Sequence, residues 1–383
     1  MHADPSGPFP YELLRRFPDV EAPNLYAWDA TDRLLGDRGI AEAAARGLDG
    51  GEIAVIGDGY GAIALRLAAA GLTGVRVYED LASGRAAFAR NAEALGLAGL
   101  QRQGEFCAEL LRGARLVLLQ LPKGLAELEE IADAVARWAP PNVLLVAGGR
   151  VKHMTLAMND VLQAAFGEVR AELAVQKSRL LVAEGPLPVA ERPPYPVRAT
   201  HDDVGLTLCA HGGAFAGTKL DLGTRFLLGF VERMPAGAAV DLGCGTGALA
   251  AAYALAHPLA EVVATDRSGW AVRSARATME ANGLGGRVTV EHDDAASLRA
   301  EGSADVVLLN PPFHLGASVH AGAALRLFDA AARILRPGGE LWTVYNAHLD
   351  YRRQLQAAVG RTSVEGTSRK FTVTRSVRRR PRP

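Results

Sequence analysis

"VDLGCGTGALA", Val240 to Ala250, is the stretch on which the reading of this chain turns. An apolar run ends in an acid, three glycines follow at alternate positions, and an alanine-rich run resumes. The pattern reads as a strand, a tight turn and the start of a helix. Glycine lets the backbone turn sharply and approach a ligand without a Cβ in the way. The amino terminus of the helix then presents N–H groups that have no partner inside the helix. Taken alone, such a loop is a weak signal that suits a dinucleotide site or a plain strand-to-helix turn. Asp241, just before the glycines, suits a ligand bearing an ammonium or sulfonium better than a pyrophosphate.

Two further acids follow at regular intervals. Asp266 closes "VVATD", Val262 to Asp266, where a carboxylate can accept hydrogen bonds from ribose hydroxyls. "VEHDDAAS", Val290 to Ser297, supplies Asp293 or Asp294, within reach of an adenine amine. Each acid alone reads as a solvated loop residue or a helix cap. Three at successive strand ends make a nucleoside pocket the better reading.

Strands are expected near Ala239–Leu242, Glu261–Thr265, Val288–Glu291, Asp305–Leu309 and Glu340–Tyr345. Helices are expected near Ala248–Ala256, Gly269–Asn282 and Ala321–Leu335, the last stopped by "RPGG". Apolar strands alternating with helices predict an α/β fold, a mostly parallel sheet with helices on both faces. Such sheets bind ligands at the carboxyl ends of their strands.

The chain says nearly the same thing twice. "IAVIGDGYGAIALRLA" (Ile53–Ala68) resembles "AAVDLGCGTGALAAAYA" (Ala238–Ala254). "RLVLLQLPKG" (Arg115–Gly124) matches "DVVLLNPPFH" (Asp305–His314), and "LQAAFG" (Leu162–Gly167) matches "LQAAVG" (Leu355–Gly360). The offset drifts from 186 at Gly57/Gly243 to 193 at Leu162/Leu355, as small insertions would make it. This is a duplication of a whole domain rather than a short solenoid repeat. The proline-rich stretch 185–199 reads as a linker between a first domain, 1–184, and a second, 200–383.

"LLNPPFHLG", Leu308 to Gly316, ends the fourth strand with a rigid corner. Proline fixes φ and lacks an N–H, so the strand stops here. As a bare pattern this is only a turn.

Together these motifs resemble the class I S-adenosylmethionine-dependent methyltransferases. Asp241, Gly243, Gly245 and Gly247 match the first motif of that family, Asp266 its ribose-binding acid and Asp294 its adenine-side position. The resemblance implies a cofactor site that also takes in Cys244, Arg267, Ala295 and Asn310, with S-adenosyl-L-methionine as cofactor. In that family an Asn-Pro-Pro-aromatic turn marks methylation of exocyclic or amide nitrogen. It implies catalytic roles for Asn310, Pro311 and Phe313, and substrate contacts from Pro312, Phe313 and His314.

The chemistry fits the residue types. An aromatic amine is a poor nucleophile because its lone pair is delocalised into the ring. The Asn310 side-chain carbonyl and the Pro311 main-chain carbonyl can accept its two N–H bonds, hold the lone pair toward the methyl donor and stabilise developing charge. Phe313 can stack on the base. No metal is required.

A narrower resemblance covers the whole chain. "GAFAGTKLDLGTRFLL" (Gly213–Leu228), the glycine loop, "NPPFH" and "GGELWTVYNAHLDY" (Gly338–Tyr351) are similar to the bacterial rRNA guanine-N2 methyltransferases. Those enzymes carry a decayed copy of the domain before the active one, so two tandem Rossmann-like domains are expected, with ribosomal RNA or a ribosomal subunit as partner. By the same resemblance Thr218, Leu220, Asp221 and Gly223 are secondary contacts; Asn346 reads as structural, with a place facing the pocket as the alternative.

In the first half Asp241 is replaced by Val55, Asn310 by Gln120, Pro311 by Leu121 and Phe313 by Lys123, while Glu79 stands opposite Asp266. That half is expected to be non-catalytic. Lys123 and "GGRVKH" (Gly148–His153) offer it positive groups for holding RNA. A packing scaffold is the alternative.

Bulk composition bounds these readings. With 42 basic and 42 acidic residues the chain has no overall basic coat, and the basic "RSVRRRPRP" (Arg375–Pro383) reads as a frayed tail or a weak phosphate contact. Cys107, Cys209 and Cys244 are too far apart for a metal motif and fit a reducing compartment. The first residues lack the pattern of a signal peptide, and no apolar run is long enough to span a membrane. A cytoplasmic monomer is expected. Competing readings are methylation of adenine N6 or of a protein glutamine amide, and a non-catalytic RNA-binding assembly factor.

Overall fold

The computed structural model describes residues 9–312 and 319–380. The chain divides into two compact units, Met1–Tyr195 and Pro196–Pro383.

In the first unit the strands are β1 (Ile53–Ile56), β2 (Val75–Tyr78), β3 (Gln101–Gln103), β4 (Leu116–Gln120), β5 (Leu144–Arg150), β6 (Phe166–Ala171) and β7 (Ser178–Pro186). They form one sheet in the order β3-β2-β1-β4-β5-β7-β6. The first five are parallel, and β7 runs antiparallel to both β5 and β6.

The second unit opens with a hairpin, β8 (Val197–His201) and β9 (Leu206–Ala210). Its main sheet contains β10 (Ala239–Leu242), β11 (Val262–Asp266), β12 (Val288–His292), β13 (Ala304–Leu309), β14 (Leu335–Asn346), β15 (Gly360–Thr367) and β16 (Phe371–Arg378). The order is β12-β11-β10-β13-β14-β16-β15, the same winding as in the first unit. Both units are therefore Rossmann-like, and the repeat read in the sequence is a repeat of topology.

The central strands are apolar because helices cover both faces. All four residues of β1 and all four of β10 are buried, so neither shows the alternation of a half-exposed strand. Trp270 and Trp342 are the largest fully buried side chains of the second unit. The strand order reverses beside β10, and the loops after β10, β11, β12 and β13 all leave the carboxyl edge of the sheet.

Three local expectations change. The proline-rich connector is shorter than 185–199, since β7 runs through Pro186 and β8 begins at Val197. "RPGG" lies inside β14, which starts at Leu335 against Ala304 and shifts register before Val306. The first residues of the basic tail are strand: Arg375–Arg378 belong to β16, which lies between β14 and β15.

Polarity hid that strand. Its buried positions include Thr374 and Ser376, and the Ser376 hydroxyl lies 2.9 Å from that of Thr362. Arg375 is paired with Glu340 on the neighbouring strand. Among the described residues no helix is long and apolar enough to cross a membrane.

Candidate active site

The loops at the carboxyl edge of the second sheet enclose a cavity of about 430 Å³. Gly243, Cys244 and Gly245 line it after β10, Asp266 and Arg267 after β11, Asp294 and Ala295 after β12, and Asn310, Pro311 and Pro312 after β13. Most of the residues expected at the site are thus brought together there. Phe313 and His314 lie outside the described residues.

The glycine loop is held from β11. The Gly243 and Cys244 N–H groups both donate to the Thr265 carbonyl, at 2.8 and 3.0 Å. Asp266 accepts from Gly245 N–H and from Ser268 N–H, each at 2.9 Å, so its carboxylate fastens the loop to the start of the next helix. Gly245 has φ +55°, and a Cβ added to it would meet open space. Gly247 serves differently. At φ +82° its Cβ would lie 2.7 Å from Met279 Cε, so this glycine lets the helix Gly269–Ala281 pack against the loop and does not line the cavity.

Asp241 also departs from expectation. It is buried and absent from the cavity wall, and its Oδ2 accepts from Ala250 N–H at 2.9 Å, at the start of the helix Ala248–Ala256. Burial raises its carboxyl to about 7, against the Ala250 hydrogen bond that lowers it. The acid fixes the turn instead of facing a cationic ligand. Cys244 lines the cavity, but burial pushes its thiol well above the usual range, with Asp266 and Asp241 adding to the effect, so it is no thiolate nucleophile.

After β12, Asp293 also lines the cavity, and its carboxylate accepts from Ser297 Oγ at 2.5 Å and from Leu298 N–H at 2.9 Å. Asp294 is held by Arg326 at 2.7 Å, from the helix Val319–Ile334. Ala295 and Ala296 both have positive φ, +55° and +51°, a strained backbone for residues with a Cβ.

Asn310 carries the most specific geometry. Its Nδ2 donates to Asp221 Oδ2 at 3.0 Å and to Thr224 Oγ1 at 2.8 Å. Both amide hydrogens are therefore engaged. Its Oδ1 is buried and has no hydrogen-bond partner among the described residues. Asp221 is fixed in turn, capping the helix Leu222–Leu228 by accepting from Gly223 and Thr224 N–H at 2.9 and 3.0 Å.

Asp221 and Leu220, expected as secondary contacts, line the cavity, whereas Thr218 and Gly223 do not. Thr218 instead accepts through its carbonyl from His201 Nε2 at 2.8 Å. Arg326, and Thr224, Lys219 and the exposed Phe215 from within the Gly213–Leu228 stretch, also line the cavity, although the sequence motifs single out none of the four. The repeat does mark Thr224: "DLGTRFLL" from Asp221 aligns with "DATDRLLG" from Asp29, placing Asp32 opposite Thr224.

The first unit keeps the frame of this site with other side chains. Glu79 accepts from Gly59 and Leu81 N–H at 2.8 and 2.9 Å, as Asp266 does from its own loop. Gln120, opposite Asn310, donates to Asp32 at 2.5 Å. The acid lost at Val55 reappears at Asp58, which accepts from Ile63 and Ala64 N–H, both at 2.8 Å.

A family model described as methyltransferase small domain matches residues 205–375, and one described as RLMG N-terminal domain matches residues 8–186. A protein of Streptomyces coelicolor named ribosomal RNA large subunit methyltransferase G is 36% identical, over 97% of this chain and 99% of its own length. One of the same name from Pseudomonas aeruginosa is 38% identical over 91% of this chain and 92% of its own. Among solved structures, the T. thermophilus 16S rRNA N2 G1207 methyltransferase, in complex with AdoMet and guanosine, aligns over 92% of both chains. Its TM-score is 0.69 and its identity 24%, a likeness of fold.

Proposed function

The chain belongs to the family of the ribosomal RNA large subunit methyltransferases G, and on that premise we propose that it methylates the exocyclic N2 amine of a guanosine in large-subunit ribosomal RNA. S-adenosylmethionine is the methyl donor in this reading. The observation that carries it is Asn310: the residue lines the cavity, and its buried Oδ1 has no hydrogen-bond partner among the described residues. A buried acceptor without a donor is costly, and an amine N–H entering the cavity would satisfy it.

The residues present fit the cofactor. Gly243 and Gly245 leave open space where a Cβ would stand, and Asp266 and Asp294 line the same cavity with carboxylates after consecutive strands. In this reading Asp266 holds the ribose end and the Asp294–Ala295 turn the adenine end. When bound, S-adenosylmethionine supplies an electrophilic methyl group on a sulfonium.

Asn310 accepts one amine hydrogen through Oδ1, and the Pro311 carbonyl accepts the other. Those two bonds turn the nitrogen lone pair away from its ring and toward the donor, and they stabilise the positive charge that grows on nitrogen. Asp221 and Thr224 prevent the Asn310 amide from flipping, so the carbonyl and not the NH2 meets the amine. We assign the transfer to residues 200–383, and to residues 1–184 a supporting role that includes holding RNA.

The test is methyl transfer from labelled cofactor to ribosomal RNA taken from a strain lacking this gene, followed by nucleoside analysis. N2-methylguanosine in the large-subunit RNA is expected. N6-methyladenosine, or label only in protein, would overturn the reading.

A further inference from the structure

The charges of the chain cancel, and many arginines of the second unit are already engaged. Arg225 pairs with Asp203, Arg233 with Glu365, Arg299 with Glu291, Arg326 with Asp294 and Arg336 with Asp305. Arg352, Arg353, Arg369 and Lys370 differ. All four are exposed, and none has a carboxylate partner among the described residues.

Their place in the fold is specific. β14 ends at Asn346, which lies opposite Phe371, the first residue of β16. The Ala347 N–H donates to the Lys370 carbonyl at 2.9 Å, so the turn Ser368–Lys370 sits at the carboxyl end of β14. The helix Arg352–Ala358 follows from that same end. Phe371 ties the turn to the active site: a Cβ on Gly223 would lie 3.3 Å from the Phe371 ring and 3.5 Å from Asn310 Oδ1. The carboxylates between residues 346 and 371 are Asp350 and Glu365, and Glu365 is held by Arg233 at 2.5 Å.

We propose that the turn Ser368–Lys370, with Arg352 and Arg353, is the docking surface for the RNA backbone beside the target nucleotide. The inference rests on the methylation reading above. A base that reaches Asn310 leaves its sugar and phosphates at the rim of the cavity. Exposed cations that form no ion pair among the described residues are what phosphates require there, with Asp350 acting on the same Tyr345 hydroxyl as Arg352, and guanidinium groups can bind phosphates through paired hydrogen bonds. These contacts would orient the strand and carry no sequence information of their own.

The experiment uses the full chain and protein-free large-subunit ribosomal RNA from a strain lacking the gene. The charge-reversal pair Arg369→Glu/Lys370→Glu is compared with Arg361→Glu/Arg380→Glu, the same charge change at the opposite edge of the sheet, where β15 begins and β16 ends. RNA affinity should fall about tenfold or more for the first pair and the slope of log affinity against log salt should lessen by roughly 2. The RNA KM should rise while kcat holds, and the control pair should stay within about twofold.

Unchanged affinity, or an equal loss in both pairs, would overturn the proposal. Calorimetry with S-adenosylmethionine checks that each variant is folded, and Arg369→Ala/Lys370→Ala replaces any reversal that loses cofactor binding. The two readings fail separately. If wild type binds RNA through this turn but methylates no guanosine, the surface stands and the activity falls. If methylation proceeds at an unaltered KM in the first pair, the activity stands and the surface falls.

Discussion

The Nδ2 of Asn310 lies 3.0 Å from Oδ2 of Asp221, and that contact joins the end of β13 to the cap of a helix that precedes the glycine loop. In the first unit Gln120 is held at the corresponding helix by Asp32, which stands opposite Thr224 and not opposite Asp221. A positioning contact from that helix therefore occurs in both copies. What differs is the residue that makes it and the side chain it positions.

Asn310→Ala is expected to abolish methyl transfer while leaving the affinity for S-adenosylmethionine within a few fold. The variant removes the Oδ1 acceptor and leaves Asp221 capping its helix through Gly223 and Thr224. Single-turnover transfer and calorimetry, run on one preparation, measure both. A large loss of cofactor binding would mean that Asn310 serves the cofactor first.

Thr224→Val separates positioning from capping. The cap uses the Thr224 main-chain N–H and survives, but Asn310 loses its 2.8 Å acceptor. One lost hydrogen bond of about 1–1.5 kcal/mol predicts roughly a tenfold fall in kcat. The cofactor KM should hold, and Thr224→Ser should restore the rate. A fall in the melting temperature without a fall in kcat would assign Thr224 to structure alone.

Gly247→Val should destabilise the second unit by about 2–5 kcal/mol, from overpacking and a strained φ together. The physical cause is a Cβ placed 2.7 Å from Met279 Cε at φ +82°. Gly245→Ala, with open space around its Cβ, should cost less stability and lower cofactor affinity instead. Thermal melts of the two variants test the order.

Burial raises the Asp32 carboxyl of the first unit from 3.8 to about 7. The folded state then binds the proton more tightly than the unfolded chain, so this contribution to stability is fully present below about 4 and is lost as pH rises through about 7. Asp32→Asn removes the titration. The destabilisation that it causes should shrink, or reverse, between pH 5 and pH 8, as followed by denaturant unfolding. A penalty independent of pH would show that Asp32 is already ionised in the fold.

Much of the site was legible because its chemistry lies at the ends of apolar strands. The glycine loop, Asp266, Asp294 and Asn310 each follow a short hydrophobic run and converge on one cavity. Asp241 was misread because a carboxylate beside a glycine loop has two uses, facing a ligand or capping the next helix. Only the 2.9 Å contact with Ala250 N–H decides between them. Thr224 and Arg326 stayed hidden because each acts on a residue far along the chain, Asn310 and Asp294.

The sequence by itself determined the duplication, the alternation of apolar strands with helices and which copy keeps the asparagine turn. These are local matters, set by runs of apolar residues, glycines and prolines. Tertiary structure alone decided that the basic stretch begins, over Arg375–Arg378, as a strand inside the sheet, because Thr374 and Ser376 become core residues only when β14 and β15 flank them. It also decided which way the Asn310 amide faces. Two acceptors brought beside Nδ2 by the fold leave Oδ1 as the group without a partner among the described residues.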